Sequence, residues 1–140
     1  MADNCCSTGT TLLYTCSGAS DVGELADRAV RKLWQEGFAQ KTCLAGVGAD
    51  ISSFVSSAKG ADVNITVDGC PTACARKCLE RIGVKPVSIM LADRGFKKGE
   101  SPVTQEAIDR AAEIVKERSA SGVPIYHVST SDILSINRFK

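Results

Sequence analysis

Val63-Asn64-Ile65-Thr66-Val67-Asp68-Gly69-Cys70-Pro71-Thr72-Ala73-Cys74-Ala75-Arg76-Lys77-Cys78 decides how the rest of the chain reads. Val63, Ile65 and Val67 alternate with the period of a strand, and Pro71 stands where a first helical residue is favoured. The segment therefore predicts a strand that turns through Asp68-Gly69 directly into a helix. Three thiols enter in this one unit. Cys70 lies at the helix cap, and Cys74 and Cys78 follow one and two turns along roughly the same face.

The same strand-then-helix unit recurs on both sides. Thr11 to Thr15 reads as the first strand, with Cys16 directly after it and Ser17-Gly18-Ala19-Ser20 as a turn of small residues. Ser20 or Asp21 caps a helix whose buried stripe is Val22, Leu25, Ala26, Ala29, Val30 and Leu33, and Gly37 stops it. Gln40 to Leu44 is a short second strand containing Cys43, and Ala45 to Ala49 is a flexible turn. Asp50 then caps a helix with Ile51, Phe54, Val55 and Ala58 inward. Beyond the quoted stretch, the helix from Pro71 runs to about Arg81 and ends at Gly83, and Val87 to Leu91 forms a fourth strand. Asp93 to Pro102 reads as a loop, and Ser101 or Thr104 caps a helix to about Arg118. Ile125 to Val128 makes a last strand, and the tail Ser129 to Lys140 docks through Ile133, Leu134 and Ile136.

Alternation of this kind predicts an α/β fold, a single-domain three-layer sandwich with a mostly parallel sheet of four to five strands and right-handed crossovers. The economical strand order is 2-1-3-4, with the fifth strand outside the fourth. Residues 1–10 read as a flexible N-terminal segment and 11–140 as one domain, since 140 residues suffice for a single real core.

Composition narrows the function classes. A formal charge of +1 and 5% aromatic residues give no electrostatic or stacking reason to expect nucleic acid or an anionic membrane surface. Met1-Ala2-Asp3-Asn4-Cys5-Cys6 lacks the basic and apolar regions of a signal peptide, and no apolar run approaches membrane-spanning length, so a cytoplasmic location is expected. In a reducing compartment the seven cysteines point to metal binding or thiol chemistry rather than to a disulfide framework. For any single cysteine a buried apolar filler is an equal reading.

Spacing lifts four of them above that. Cys16 to Cys43 and Cys43 to Cys70 are each 27 residues, one strand-helix unit. Cys16 and Cys43 thus fall at the carboxyl ends of strands one and two, Cys70 just after strand three, and Cys74 one helical turn beyond. In a parallel sheet those ends share the edge where open α/β sheets bind ligands, and neighbouring strands are about 5 Å apart. Four thiolates suit Zn(II), with bonds of about 2.3 Å, or an iron-sulfur cluster. Helix N-termini near Asp21 and Pro71 would offset the surplus negative charge and lower thiol pKa values. Cys78 is better read as packing, Cys5 and Cys6 as bystanders, and the lone His127 as a surface or packing histidine. Asp68 caps or buttresses its turn. A phosphatase loop lacks its arginine and a nucleotide loop its lysine. A thiol enzyme or carrier handling sulfur, selenium, arsenic or disulfide exchange is the competing class.

Cys16-Ser17-Gly18-x-Ser20, Gly23-x-Leu25-Ala26-Asp27, Cys43-Leu44-Ala45-Gly46-Val47-Gly48 and Asp68-Gly69-Cys70-Pro71-x-x-Cys74 together resemble the DGC-domain family of zinc-binding proteins, from about Leu12 to Lys98. The resemblance implies a zinc site on the cysteines matching Cys16, Cys43, Cys70 and Cys74, the same four that spacing selects. It implies no particular reaction, and Cys5, Cys6, Cys78 and the tail inherit nothing from it.

Overall fold

The computed structural model describes residues 9–120. Over these the alternation becomes a four-stranded parallel sheet, β1 (Thr11–Thr15), β2 (Gln40–Lys41), β3 (Val63–Asp68) and β4 (Val87–Met90), in the order β2-β1-β3-β4. The helices are α1 (Asp21–Gln35), α2 (Leu44–Gly48), α3 (Ser52–Gly60), α4 (Cys74–Arg81) and α5 (Gln105–Ala120). The 2-1-3-4 order is the one expected. The expected strand at Ile125 to Val128, the tail beyond it, His127, Cys5 and Cys6 lie outside the described residues.

Both faces of the sheet are covered, so β1 and β3 are buried at every position. Leu13, Ile65, Val67 and Ile89 face one side, against Leu25, Ala29 and Leu33 of α1 and Ala111, Ala112 and Val115 of α5. Leu12 and Tyr14 face the other, against Val47 of α2, Ala58 of α3 and Leu79 of α4. The result is the three-layer α/β sandwich. Each fully buried Leu, Ile or Val contributes about 1.5–3 kcal/mol of burial. β2 to β3 passes back over β1, so the winding reverses between β1 and β3, where open sheets of this kind bind ligands.

Local chemistry sets several boundaries as expected. Ser20 Oγ accepts from Gly23 N at 3.3 Å to start α1, and Thr104 Oγ1 accepts from Ala107 N at 3.1 Å to start α5. Asp21 accepts from Gly99 N and Ser101 N, both at 2.8 Å, which ties the β4–α5 loop to the start of α1.

Other boundaries differ from the sequence expectations. β2 ends at Lys41, and Cys43 N-caps the single-turn α2 where a flexible turn was expected. Asp50 takes a left-handed φ of 58° and Ile51 becomes the N-cap of α3, with Ile51 47% exposed rather than inward. α4 begins at Cys74, not at Pro71, because Ala73 adopts a left-handed conformation (φ 52°, ψ 49°) closed by Ala73 N donating to Cys70 O at 3.0 Å. The cap comes from the strand. Asp68 accepts from Ala75 N at 2.8 Å and Arg76 N at 3.1 Å, so the carboxylate that ends β3 fixes where α4 starts. Leu91–Arg94 forms a 3-10 turn inside the segment read as strand end and loop. Among the described residues no helix is long and apolar enough to cross a membrane.

Candidate metal and thiol site

Three neighbouring strands end on one edge, and each releases a cysteine there. Cys16 follows β1, Cys43 follows β2 and Cys70 follows β3, with Cys74 opening α4. Cys16 N donates to Val67 O at 3.2 Å, so Cys16 continues the β1–β3 ladder and sits at the winding reversal itself.

Close backbone approach packs this edge. A Cβ on Gly69 would stand 2.5 Å from the carbonyl carbon and oxygen of Val22, and one on Gly23 would stand 2.6 Å from Gly18 O. The β3–α4 turn therefore presses on the first turn of α1, which presses on the turn after β1. Only glycine permits either contact. That approach carries the N–H groups of Gly69 and Gly18 onto the Cys16 sulfur as donors. Burial nevertheless dominates and pushes the Cys16 thiol above its ordinary pKa, with the charges of Asp68 and Cys74 adding to the rise. A lowering by the α1 dipole, expected from sequence, is not the outcome at Cys16.

Cys70 behaves oppositely. The Thr72 hydroxyl and N–H donate to its sulfur and hold the thiol below its ordinary pKa, and the Lys98 ammonium adds to this. The lowering comes from a turn two residues on, not from a helix that starts at Pro71. Asp68 is 1% exposed, and burial raises its pKa against its two backbone donors and the charges of Arg76 and Lys77. Cys43 and Cys74 are exposed.

Cys16 is the shared member of the group. It lies close enough to Cys74 for their charges to interact, and it opens with Cys43 and Cys78 on a cleft of about 780 Å³. Cys78 also packs against the second core cluster, as expected. As the side chains stand, no three His, Cys, Asp or Glu groups among the described residues are arranged to hold a metal ion. The donor set is suited to zinc or an iron-sulfur cluster in chemistry, four thiols with N–H donors on one sulfur and hydroxyl and N–H donors that lower the pKa of another.

Sequence reading missed the Gly18 and Gly69 donors, Thr72, and the far wall of the cleft, which includes Arg31, Trp34, Lys41 and Phe54. A hydroxyl two residues after Cys70 was a legible signal. The wall was not, because it gathers from separate elements.

The DGC domain family matches residues 12–115, which extends past Lys98 into α5. The chain is also 37% identical over 99 residues to a protein of Pseudomonas aeruginosa named "Anaerobic and virulence modulator AnvM", an alignment spanning 69% of this chain and 76% of the relative. No solved structure matches the chain.

Proposed function

The chain belongs to the DGC-domain family, and from that premise we propose that it is a cytoplasmic metal-thiolate protein that works as a modulator. Cys16, Cys43, Cys70 and Cys74 take up Zn(II) at the carboxyl edge of the sheet. One observation carries this reading: β2, β1 and β3 are adjacent and parallel, and each is followed within two residues by a cysteine. Exposure of Cys43 and Cys74 supports it further, because their sulfurs can change rotamer without repacking a core. The P. aeruginosa relative is named as a modulator, and a closed shell of four thiolates suits a structural or sensing metal better than a catalytic one.

With zinc bound, the metal would supply folding free energy to the edge. The chain's own groups do the rest. Gly18 and Gly69 donate to Cys16, Thr72 donates to Cys70 and lowers its pKa, and Asp68 fixes the start of α4 at Cys74. Elemental analysis of protein purified without added metal tests this. About one equivalent of zinc is expected, falling severalfold in Cys70→Ser. Less than about half an equivalent of any metal, unchanged by that substitution, overturns it. Iron with matching sulfide and visible absorbance would assign the site to a cluster instead.

A specific observation also favours thiol chemistry, in which this edge handles sulfur, a metalloid or disulfide exchange. The Thr72 donors prepare Cys70 as a nucleophile. In metal-free protein, Cys70 should alkylate faster at neutral pH than Cys16, whose thiol burial pushes up. Thr72→Val should slow Cys70 and shift its pH midpoint upward. Equal rates at both cysteines, indifferent to Thr72→Val, remove this reading.

A further inference from the structure

The cleft beside the thiols has a chemistry of its own. Its volume of about 780 Å³ is in the range of small-molecule sites. Among the described residues that line it, the charged ones are Arg31 and Lys41, and none is a carboxylate. Trp34, Leu44 and Phe54 supply apolar wall.

Lys41 is the informative group. Its side chain is only 17% exposed, and its ion-pair contact is to Asp27 Oδ1, at a long 3.8 Å. Asp27 is already held at 2.6 Å by Arg31 Nε and at 2.9 Å by Ser17 Oγ. A covered ammonium is costly unless it is closely paired, and a flexible lysine stem normally carries its charge out to water. This one stays against the cleft, and Asp27, its ion-pair partner among the described residues, is shared with closer contacts from Arg31 and Ser17.

We propose that the cleft binds a small organic anion, a carboxylate on an aromatic-sized apolar body. Its head lies at Lys41 and Arg31, and its body lies along Trp34 and Phe54. Bound there, the ligand sits beside Cys16 and Cys43, which line the same cleft. Binding of the anion goes beyond the metal proposal and stands without it, since none of Arg31, Trp34, Lys41 and Phe54 is a proposed metal ligand.

Trp34 is the sole tryptophan of the chain, so intrinsic fluorescence reports on the cleft. The probe is 3-phenylpropionate, with 3-phenylpropanamide as its neutral twin, titrated into the full chain. A saturable change with the carboxylate is expected, and binding of the amide should be about tenfold weaker or more. Lys41→Met should weaken the carboxylate about fivefold or more with an unchanged circular dichroism spectrum. Lys85→Met, beside the amino ends of β3 and β4, should leave it alone. If Lys41→Met does not fold, Arg31→Gln carries the same test, since that side chain is 56% exposed. No saturable response, equal binding of acid and amide, or binding indifferent to the cleft substitution overturns the proposal. Repeating the titration in Cys70→Ser alongside metal analysis separates the two proposals, because metal loss with binding retained fails neither and each readout is scored alone.

Discussion

Substituting Gly69 by alanine tests whether the packing between turns really sets the thiol edge. The new Cβ would stand 2.5 Å from the carbonyl carbon and oxygen of Val22 and 2.9 Å from Gly23 N, whereas ordinary contact begins at 3.4 Å. All three atoms are backbone, so no side-chain rotation relieves the clash. The β3–α4 turn and the first turn of α1 must separate by about 0.9 Å. Overpacking of this kind costs about 1–3 kcal/mol, and the same displacement draws Gly69 N–H away from the Cys16 sulfur for about 1 kcal/mol more. A total of about 2–4 kcal/mol corresponds to a Tm lowered by about 8–15 °C for a chain of this size. Thermal unfolding followed by circular dichroism reads this directly. Gly18→Ala is the control, because a Cβ there meets nothing within 4 Å, and its Tm should stay within about 2 °C of the parent. A Gly69→Ala protein as stable as Gly18→Ala would refute the packing argument, and with it the account of how the edge is assembled.

Asp68→Ala strands the N–H groups of Ala75 and Arg76 and should cost about 3 kcal/mol in urea unfolding, while Asp68→Asn keeps one acceptor and should cost about 1–2 kcal/mol. An alanine variant no weaker than the asparagine one would remove Asp68 as the cap. Asp27 is held below its ordinary pKa: burial works against its charge, but the Arg31 and Ser17 hydrogen bonds and the charges of Arg31 and Lys41 outweigh it. Its folded pKa lies below the unfolded one, so its contribution is present above the ordinary carboxylate pKa and lost as pH falls through the folded value. Asp27→Asn should therefore destabilise by about 1 kcal/mol near neutrality and converge on the parent in acid. Parallel stability curves for the two proteins would contradict this.

The gathering of Cys16, Cys43 and Cys70 at strand ends was legible because one period, 27 residues, spaces them by one strand-helix unit, whereas the strand order was the economical guess and no period dictates it. α1 was legible because its cap, apolar stripe and stop are all local. The start of α4 was not. Pro71 carried the right local signal, but Asp68 reached seven and eight residues ahead to cap Ala75 and Arg76, and Ala73 accepted a left-handed backbone to allow it. α2 was misread as a turn because Ala45-Gly46-Val47-Gly48 has weak helical propensity, and packing of Val47 in the second core cluster decides the matter. The orientation of thiol side chains and the makeup of the cleft depend on which elements meet in space, which no local pattern encodes.

β2 is only two residues long and pairs with β1 through Leu12–Gln40 and Leu13–Lys41, whereas β1 and β3 pair at five positions. The thiol edge accordingly has a fixed jaw and a yielding one. Cys16 and Cys70 ride on the long ladder and the glycine contacts, so moving them means opening the centre of the sheet. Cys43 rides on the short ladder, and freeing it disturbs little else. Amide exchange should run fastest around Gln40 to Ala45 and slowest at Leu13 and Ile65. A guest at this edge would enter past Cys43 and be closed upon from that side.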